Sequence, residues 1–213
     1  MLSLILIRHG ETDWNTQQRI QGQRDLPLNE TGRQQARNLQ PVLAPAFMES
    51  VAPVRILSSD LQRALLTAQI AVNGQDDIET DARLREINYG EWEGLDRRTL
   101  EQRCPAEAVR WFRGDDFAFK PHGGESLQEL HQRMSAFHQD VILPLIQPPP
   151  QRVIIFTHGA ALMAYLNVIL QAHARFATDN GTLSEIILRA GTLPEVTWFN
   201  VLPQHISMLY PLS

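Results

Sequence analysis

Two stretches of the sequence share one pattern, in which four apolar residues and one polar residue are followed by His-Gly. The stretches are LILIRHGE, residues 4 to 11, and VIIFTHGA, residues 153 to 160. Short runs of branched apolar residues predict buried strands. Ligands of open α/β sheets bind outside the carboxyl ends of the strands, so the pattern predicts that His9 and His158 lie at one rim. A glycine after each histidine, Gly10 and Gly159, allows a ligand to approach main-chain N–H groups closely.

Two arginines add positive charge to the same rim. Arg8 directly precedes the first histidine, and Arg63 is expected in the first turn of a helix that follows a third strand. A helix N-terminus attracts anions, and the planar guanidinium fork matches phosphate oxygens. Two imidazoles and two guanidiniums therefore indicate a site for a dianion such as a phosphate group.

A zinc site built on His9, His158 and a carboxylate is the competing interpretation of this cluster. We disfavour it because an arginine beside a histidine ligand would repel the cation. A P-loop is excluded, since that motif needs a lysine followed by serine or threonine, whereas the only lysine, Lys120, precedes Pro121. The sequence thus predicts neither a metal nor a cofactor.

The elements that must position these residues alternate between strands and helices. Strands are expected at residues 4–7, 54–57, 153–156 and 186–188, and helices begin near Thr31, at Ser59 or Asp60, at Ser126 and near Ala160. Residues 184–188 and 195–201 look like an antiparallel pair that closes one sheet edge. The predicted fold is an α/β three-layer sandwich, with a mostly parallel central sheet, helices on both faces and one antiparallel edge strand.

Length and composition indicate one domain over residues 1–213, since 43% of the residues are hydrophobic and no linker is evident. The net charge of -5 argues against nucleic-acid or membrane-surface partners. A single cysteine, Cys104, excludes an internal disulfide. The apolar N-terminal run is too short for a membrane span and lacks a secretory cleavage site, so we expect a cytoplasmic protein.

The segment from residue 96 to 122 mixes basic and aromatic side chains. It carries five arginines and one lysine among Trp111, Phe112, Phe117 and Phe119. We interpret it as a helical lid inserted over the rim, which would govern the choice of substrate. A packed subdomain with a solvated charged face is the alternative, because Glu101, Glu107, Asp115 and Asp116 offset much of the charge.

Six ordered motifs resemble those of the histidine phosphatase superfamily, in its phosphoglycerate-mutase-like branch. They are RHGET at residues 8–12 with Asn15, RIQGQRDLPLNETG at 19–32, SSDLQRALLTA at 58–68, LREINYGEWEG at 84–94, GGES at 123–126 and THGA at 157–160. Together they cover most of the chain. The version of these motifs found here is similar to that of the broad-specificity, α-ribazole phosphate and sugar bisphosphate phosphatases.

The resemblance implies a role for each rim residue. His9 would be the nucleophile that is transiently phosphorylated, and Arg8, Arg63 and His158 would hold the phosphoryl oxygens. The resemblance assigns Glu86 as proton donor to the leaving group, a choice that the residues alone leave open between Glu86, Glu11, Glu91 and Glu125. It also places Asn15, Gln21 and Gly22 in a phosphate-binding loop. Gly159, as the glycine after the second histidine, is predicted to bind the phosphate through its main chain.

The resemblance also bears on the type of reaction. Mutases of this branch carry a lysine-containing stretch where this chain reads Glu91-Trp92-Glu93-Gly94. We therefore predict a metal-independent phosphomonoesterase for small phosphorylated metabolites, acting through phosphohistidine. Interconversion of 2- and 3-phosphoglycerate and non-catalytic phosphoester binding are the alternatives, and a homodimer is left open. Activity should decline as the pH falls toward the ordinary histidine pKa of about 6.5.

Overall fold

The computed structural model describes residues 1–44, 54–74, 77–113, 116–149, 151–172, 174 and 177–209. Its centre is one six-stranded sheet. The strands are β1 (Leu2–Arg8), β2 (Val54–Ser58), β3 (Ile78–Thr80), β4 (Gln151–Thr157), β5 (Leu183–Leu188) and β6 (Glu195–Val201). Their order across the sheet is β3-β2-β4-β1-β5-β6.

The directions of the strands confirm the predicted sheet. Strands β3, β2, β4 and β1 run parallel, β5 runs antiparallel to β1, and β6 pairs antiparallel with β5 at the edge. Strand β3, at the opposite edge, was not predicted, because its three residues are too few and too exposed to show a pattern. In the central pair, Arg8 lies opposite Thr157, so the two His-Gly units follow at the same level.

Helices cover both faces of the sheet, as predicted. They are α1 (Asp13–Thr16), α2 (Glu30–Leu43), α3 (Gln62–Ala71), α4 (Arg97–Arg103), α5 (Pro105–Arg113), α6 (Leu127–Phe137), α7 (Gly159–Leu170) and α8 (Pro203–Leu209). Short 3₁₀ turns occupy Ala82–Leu84, Gly90–Trp92 and Leu143–Ile146, and one π turn occupies His138–Ile142. In the described ranges, no helix has the length and apolar character needed to cross a membrane.

Alternation along the buried strands divides the core into two layers. Leu4 and Leu6 of β1 pack with α6 and α7, whereas Ile5 and Ile7 pack with α2 and α3. Successive side chains of a strand point to opposite faces, so one uninterrupted apolar run supplies both layers. This burial on both faces fixes the level at which β1 ends, and therefore the position of His9.

Two helices begin one to three residues away from their predicted starts. Helix α2 is capped by Asn29, whose side chain accepts from Gly32 N, and not by Thr31. Helix α3 begins at Gln62 rather than at Ser59 or Asp60, because Asp25 from a distant loop accepts from Gln62 N at 2.7 Å. Helix α6, by contrast, begins where it is predicted, because Ser126 is its N-cap and forms a capping box with Glu129.

The segment 96–122 contains the helices α4 and α5, with Asp96 as the N-cap of α4. These helices pack on a small separate core around Trp92, Leu100 and Ala108. Trp111 of α5 contacts Tyr89 edge-on, with 5.4 Å between ring centroids. The segment is therefore attached through aromatic packing to the stretch of chain that follows Glu86.

Candidate active site

The structure brings the two predicted histidines together at the carboxyl ends of β1 and β4. Their ring centroids are 5.0 Å apart. Both are buried, with 2% of His9 and none of His158 exposed. The backbone of His9 is fixed by a hydrogen bond of 3.0 Å from its N–H to the carbonyl of Thr157.

The hydrogen bonds of His9 define which ring nitrogen is free to react. Nδ1 lies 2.6 Å from the Gly10 carbonyl oxygen and so carries the proton that it donates. Nε2 therefore holds the lone pair, which accepts from Arg63 Nε at 3.3 Å. Burial, together with the charges of Arg63 and Arg8, lowers the pKa of His9 well below 6.5. A neutral imidazole with its lone pair on Nε2 is a competent nucleophile.

This lowered pKa changes the pH dependence that the sequence predicts. An ordinary histidine would lose its lone pair as the pH approached 6.5. Because the buried site disfavours the imidazolium, His9 stays neutral to lower pH. The acid limb of activity is therefore expected at a lower pH than the unperturbed value indicated.

Arg63 is anchored to the loop that precedes α2. It lies in the first turn of α3, as predicted, and none of its side chain is exposed. Nη1 donates to the carbonyl of Arg24 at 2.8 Å and Nη2 donates to the carbonyl of Gly22 at 2.7 Å. Burial lowers its pKa to about 10, so the guanidinium remains charged at neutral pH. Arg63 therefore supplies a fixed positive charge next to His9.

Arg8 reaches the rim from the end of β1. Its Nη1 donates to the carbonyl of Thr178, which precedes β5 and lies at this rim because β5 runs antiparallel to β1. Burial lowers the pKa of Arg8, while the charges of Glu86 and Asp179 oppose this effect. Its Nε is buried and has no hydrogen-bond partner within the described part of the chain.

His158 is held by a residue that sequence reasoning missed. Its Nε2 lies 2.8 Å from Ser59 Oγ. Its Nδ1 is buried without a hydrogen-bond partner among the described residues. Burial, and then the charge of Arg63, lower the pKa of His158 well below 6.5, so this ring is neutral as well. Buried polar atoms without partners are rare in folded proteins, and both of those found among the described residues belong to residues beside His9.

Glu86 lies at the N-terminus of α7, where three main-chain N–H groups donate to its carboxylate. The donors are Ala160 N at 3.1 Å, Ala161 N at 3.0 Å and Ile87 N at 3.0 Å. The first N–H groups of a helix have no partner inside the helix, and they favour a carboxylate. The charge of Glu86 acts on both Arg8 and Arg63.

The geometry distinguishes Glu86 from the three other glutamates that the sequence left open. Glu11 accepts from the Asn29 side chain, Glu91 pairs with His122, and Glu125 pairs with Arg133. Gly159 lies between the acid and Arg8, because a Cβ on it would be 3.5 Å from Arg8 Cζ and 3.7 Å from Glu86 Oε2.

The predicted phosphate loop contacts Arg63 through Gly22, and its other two residues, Asn15 and Gln21, are hydrogen-bonded to Thr12. Asn15 Oδ1 accepts from Thr12 N at 3.1 Å, as part of the capping box of α1. Gln21 Oε1 accepts from the Thr12 hydroxyl at 2.9 Å. Gly22 adopts a positive φ of 55° and directs its carbonyl at Arg63. Direct contact of Asn15, Gln21 and Gly22 with phosphate stays a prediction.

Two further residues that hold the backbone around His9 were not predicted from the sequence. Thr67 Oγ1 accepts from Gly10 N at 3.0 Å, and Asn180 Nδ2 donates to the carbonyl of His9 at 2.9 Å. Thr67 and Ser59 lie within the motif SSDLQRALLTA, which offered a signal for both. Asn180 is 171 residues from His9, and no local pattern indicates the contact.

The charges around the two histidines are those of an anion site. Across the described residues, no three histidine, cysteine, aspartate or glutamate side chains are grouped so that they could hold a metal ion. The charges that most affect the His9 ring are the guanidiniums of Arg63 and Arg8. Two buried guanidiniums beside neutral imidazoles suit a phosphoryl group.

Comparison with known proteins places this geometry in a family. A family model described as the histidine phosphatase superfamily (branch 1) matches residues 4–201. Glucosyl-3-phosphoglycerate phosphatase of Mycobacterium tuberculosis is 32% identical over 174 residues, which are 79% of this chain and 75% of that protein. A protein of Salmonella paratyphi C named probable phosphoglycerate mutase is 36% identical over 195 residues, covering 87% and 85%. The crystal structure of the α-ribazole phosphatase of Shigella flexneri superimposes with a TM-score of 0.78 at 27% identity, covering 93% and 96%.

Proposed function

The chain belongs to the histidine phosphatase superfamily, and on this premise we propose that it is a metal-independent phosphomonoesterase for small phosphorylated metabolites. One observation carries the proposal. His9 is buried and neutral, its Nδ1 proton is bonded to the Gly10 carbonyl, and its Nε2 lone pair faces the fixed guanidinium of Arg63. This arrangement presents a nucleophile and a positive charge to the same phosphoryl group.

In the first step, His9 Nε2 attacks the phosphorus in line with the ester oxygen. The N–P bond forms as the P–O bond to the leaving group breaks. Glu86, protonated once the phosphate dianion is bound beside it, gives its proton to the leaving oxygen and returns to the carboxylate that the N–H groups of α7 favour. Arg8 and Arg63 neutralise the charge on the equatorial oxygens, a task that needs no metal ion.

In the second step, water attacks the phosphohistidine from the side that the leaving group vacated. The Glu86 carboxylate takes a proton from this water as the new P–O bond forms. The N–P bond breaks, and its electron pair returns to Nε2 of His9. Inorganic phosphate leaves, and the neutral imidazole and the protonated acid are restored.

The hydrogen bonds of Ser59 support His158 as a donor to the phosphoryl group. Ser59 Oγ accepts from Leu61 N at 3.3 Å and lies 2.8 Å from His158 Nε2, and we assign the Ser59 hydroxyl as the donor in this second contact. The proton of the neutral His158 ring is then on Nδ1, the nitrogen that lacks a partner among the described residues. His158 Nδ1 and Arg8 Nε provide two buried N–H donors for phosphoryl oxygens.

The segment 96–122 is proposed to govern substrate choice as a lid. Its helix α5 carries Trp111, which packs against Tyr89, and Tyr89 is close enough to Glu86 and Arg8 for their charges to act on its pKa. Tyr89 therefore connects α5, through its contact with Trp111, to the surroundings of Glu86. Exchanging residues 96–122 with those of the α-ribazole phosphatase should change the ranking of phosphoester substrates, whereas an unchanged ranking would leave the segment a packed subdomain.

Phosphoglycerate mutase activity is the second candidate, because a relative named probable phosphoglycerate mutase is 36% identical over 87% of the chain. A mutase returns the phosphoryl group to a second hydroxyl instead of to water. Rapid interconversion of 3- and 2-phosphoglycerate with negligible phosphate release would favour it. Binding of vanadate without hydrolysis of any monoester would favour a non-catalytic binding module.

The decisive experiment measures phosphate release from p-nitrophenyl phosphate in excess EDTA. Wild type should turn over in EDTA, and His9→Ala should show no turnover above background. His205→Ala, an exposed histidine outside the site, is the matched control and should retain full activity. Release that is lost in EDTA would contradict metal independence, and release that persists in His9→Ala would contradict the phosphohistidine mechanism.

A cytoplasmic location and the absence of nucleic-acid and membrane partners also belong to the proposal. The net charge of -5 and the single cysteine support them. Fractionation of cells that express the tagged chain should recover it with cytoplasmic markers. Light scattering at several concentrations distinguishes a monomer from the homodimer that the sequence leaves open.

A further inference from the structure

A partly buried ion pair at α6, between Arg133 and Glu125, contacts the loop that carries Glu86. Arg133 Nε donates to Glu125 Oε1 at 2.6 Å, and Arg133 Nη2 donates to Glu125 Oε2 at 2.9 Å. Only 17% of the arginine side chain and 14% of the glutamate side chain are exposed. Such a bidentate ion pair fixes the plane of the guanidinium as well as its position.

The other N–H groups of this guanidinium donate to two main-chain carbonyls, one before Glu86 and one of Glu86 itself. Arg133 Nη1 donates to the carbonyl of Arg83 at 2.5 Å, and Nη2 donates to the carbonyl of Glu86 itself at 3.1 Å. Glu125 holds the next turn of the loop, because its carboxylate accepts from Asn88 N at 3.2 Å and its own N–H donates to the Asn88 carbonyl at 2.7 Å. Arg133 and Glu125 therefore hydrogen-bond to the main chain of the loop at residues 83, 86 and 88.

Glu86 is thus held from two directions. Its carboxylate is bound by the N–H groups at the start of α7, and its main-chain carbonyl is bound by Arg133 of α6. We propose that Arg133, oriented by Glu125, is a positioning residue for the Glu86 acid. The inference rests on the proposed function to the extent that Glu86 acts as the proton donor. The inference goes beyond the proposed function because it assigns the placement of that donor to Arg133 and Glu125, whose contacts given above are with residues 83, 86 and 88.

The fork of the arginine is essential to this placement. One guanidinium binds a carboxylate on one side and two carbonyls on the other, which the single point charge of a lysine cannot reproduce. The chain offers a matched control in Arg55, whose Nε and Nη2 donate to Glu79 at 2.9 and 2.6 Å. That pair has the same two-bond geometry but is more exposed, and its two hydrogen bonds join the side chains of neighbouring strands β2 and β3.

The kinetic test compares two esters that differ in their need for the acid. Glycerol 2-phosphate has a poor leaving group, whereas the leaving group of p-nitrophenyl phosphate departs with little protonation. Arg133→Met should slow the alkyl ester by about 10²-fold and the aryl ester by less than about fivefold, since a misplaced group of about 1 Å has an effect of that size. Arg133→Lys should recover part of the loss, and Arg55→Met should slow neither ester.

Two further variants separate positioning from loss of stability. Arg133→Met leaves Glu125 without its partner, so the double variant Arg133→Met/Glu125→Met removes both charges and should show the same selective loss. In a Glu86→Gln background, Arg133→Met should cause no further selective loss, because the two residues act through one group. Equal slowing of both esters, or additive losses in the Glu86→Gln background, would overturn the inference.

Amide hydrogen exchange decides the inference even if wild type turns over neither ester. Ala160 N and Ala161 N are first-turn amides whose acceptor is the Glu86 carboxylate. Their exchange should be faster in Arg133→Met than in wild type by at least about tenfold, and unchanged in Arg55→Met. Unchanged exchange in Arg133→Met would overturn the inference while leaving the proposed phosphatase activity intact.

Discussion

The two strand-His-Gly units are alike in sequence but differ in what surrounds each ring. His9 donates from Nδ1 to the next carbonyl, and its chain continues through a loop before α1 begins at Asp13. His158 is the N-cap residue of α7, with no capping bond from its side chain, and its polar contact is Ser59. The residues before them differ too, because Arg8 enters the site whereas Thr157 Oγ1 donates to the Leu84 carbonyl at 2.8 Å.

This difference shows how one local pattern can serve two tasks. The apolar strand and the His-Gly step decide where each imidazole lies, at the carboxyl ends of adjacent strands. The Gly10 carbonyl, which can only accept, makes Nδ1 the donor of His9 and leaves the lone pair on Nε2. In our proposal His9 presents a lone pair and His158 presents a proton, so the units are complementary rather than redundant.

The largest expected effect comes from replacing each ring by asparagine, whose side-chain N–H lies near the position of Nδ1. His9→Asn removes the nucleophile and should lower kcat/KM for p-nitrophenyl phosphate by at least about 10⁴-fold. His158→Ala removes one donor and should lower it by about 10²- to 10³-fold. His158→Asn keeps a donor and should lose less than His158→Ala. Similar losses in His9→Asn and His158→Asn would break the comparison.

The glycines of the two units should also respond differently. A Cβ on Gly10 would lie 2.4 Å from the Gly32 carbonyl oxygen, whereas a Cβ on Gly159 would find nothing closer than 3.5 Å. Gly10→Ala should therefore reduce the free energy of unfolding by about 3 kcal/mol, because backbone must move. Gly159→Ala should change it by less than about 0.5 kcal/mol. Urea denaturation of both variants measures this, and comparable losses would refute the packing explanation.

A smaller effect concerns stability as a function of pH, where the two rings should act alike. Both have a lowered pKa in the folded state, so both stay neutral while the unfolded chain gains protons below pH 6.5. The unfolded state then binds more protons, and stability falls as the pH falls. Two such groups should lower the free energy of unfolding by about 2 kcal/mol between pH 6.5 and 5.5.

Urea denaturation at these two pH values checks the expected decline. His9→Asn should remove about half of the pH dependence, and His9→Asn/His158→Asn should remove most of it. If the free energy of unfolding of the double variant depends on pH as strongly as that of wild type, groups other than these two histidines cause the dependence. The range avoids the carboxyl groups whose pKa is lowered by arginine partners, such as Asp60 beside Arg85, because these titrate at lower pH.

Features with a local cause were predictable from the sequence. The buried strands, the sheet edge pair, the Ser126 capping box and the placement of Arg63 all follow from patterns within a few residues. The superfamily suggested by the six motifs is confirmed by the family match over residues 4–201. The roles of the individual site residues stay predictions that the experiments above address.

Features that depend on distant partners were not predictable. Helix α3 begins at Gln62 because Asp25 caps it, and His158 is oriented by Ser59, 99 residues away. No spacing in the sequence favours Glu86 over other glutamates, because its selection depends on N–H groups at the start of α7. Contacts between remote segments arise only from the packed sheet, and single-sequence patterns do not encode them.

The central position of β1 has a consequence for how the protein is made. Leu2 pairs with Gln151 on one side and with Leu188 on the other. At a synthesis rate of about 5 to 20 residues per second, roughly 7 to 30 seconds separate the emergence of β1 from that of β4. During this interval β1 has neither neighbour, and its edges are open to pairing with other chains. Both partner strands of β1 follow it by more than a hundred residues, so the buried environment of His9 forms only after β4 and β5 have been translated. The phosphorylation of His9 in our proposal therefore requires these late strands.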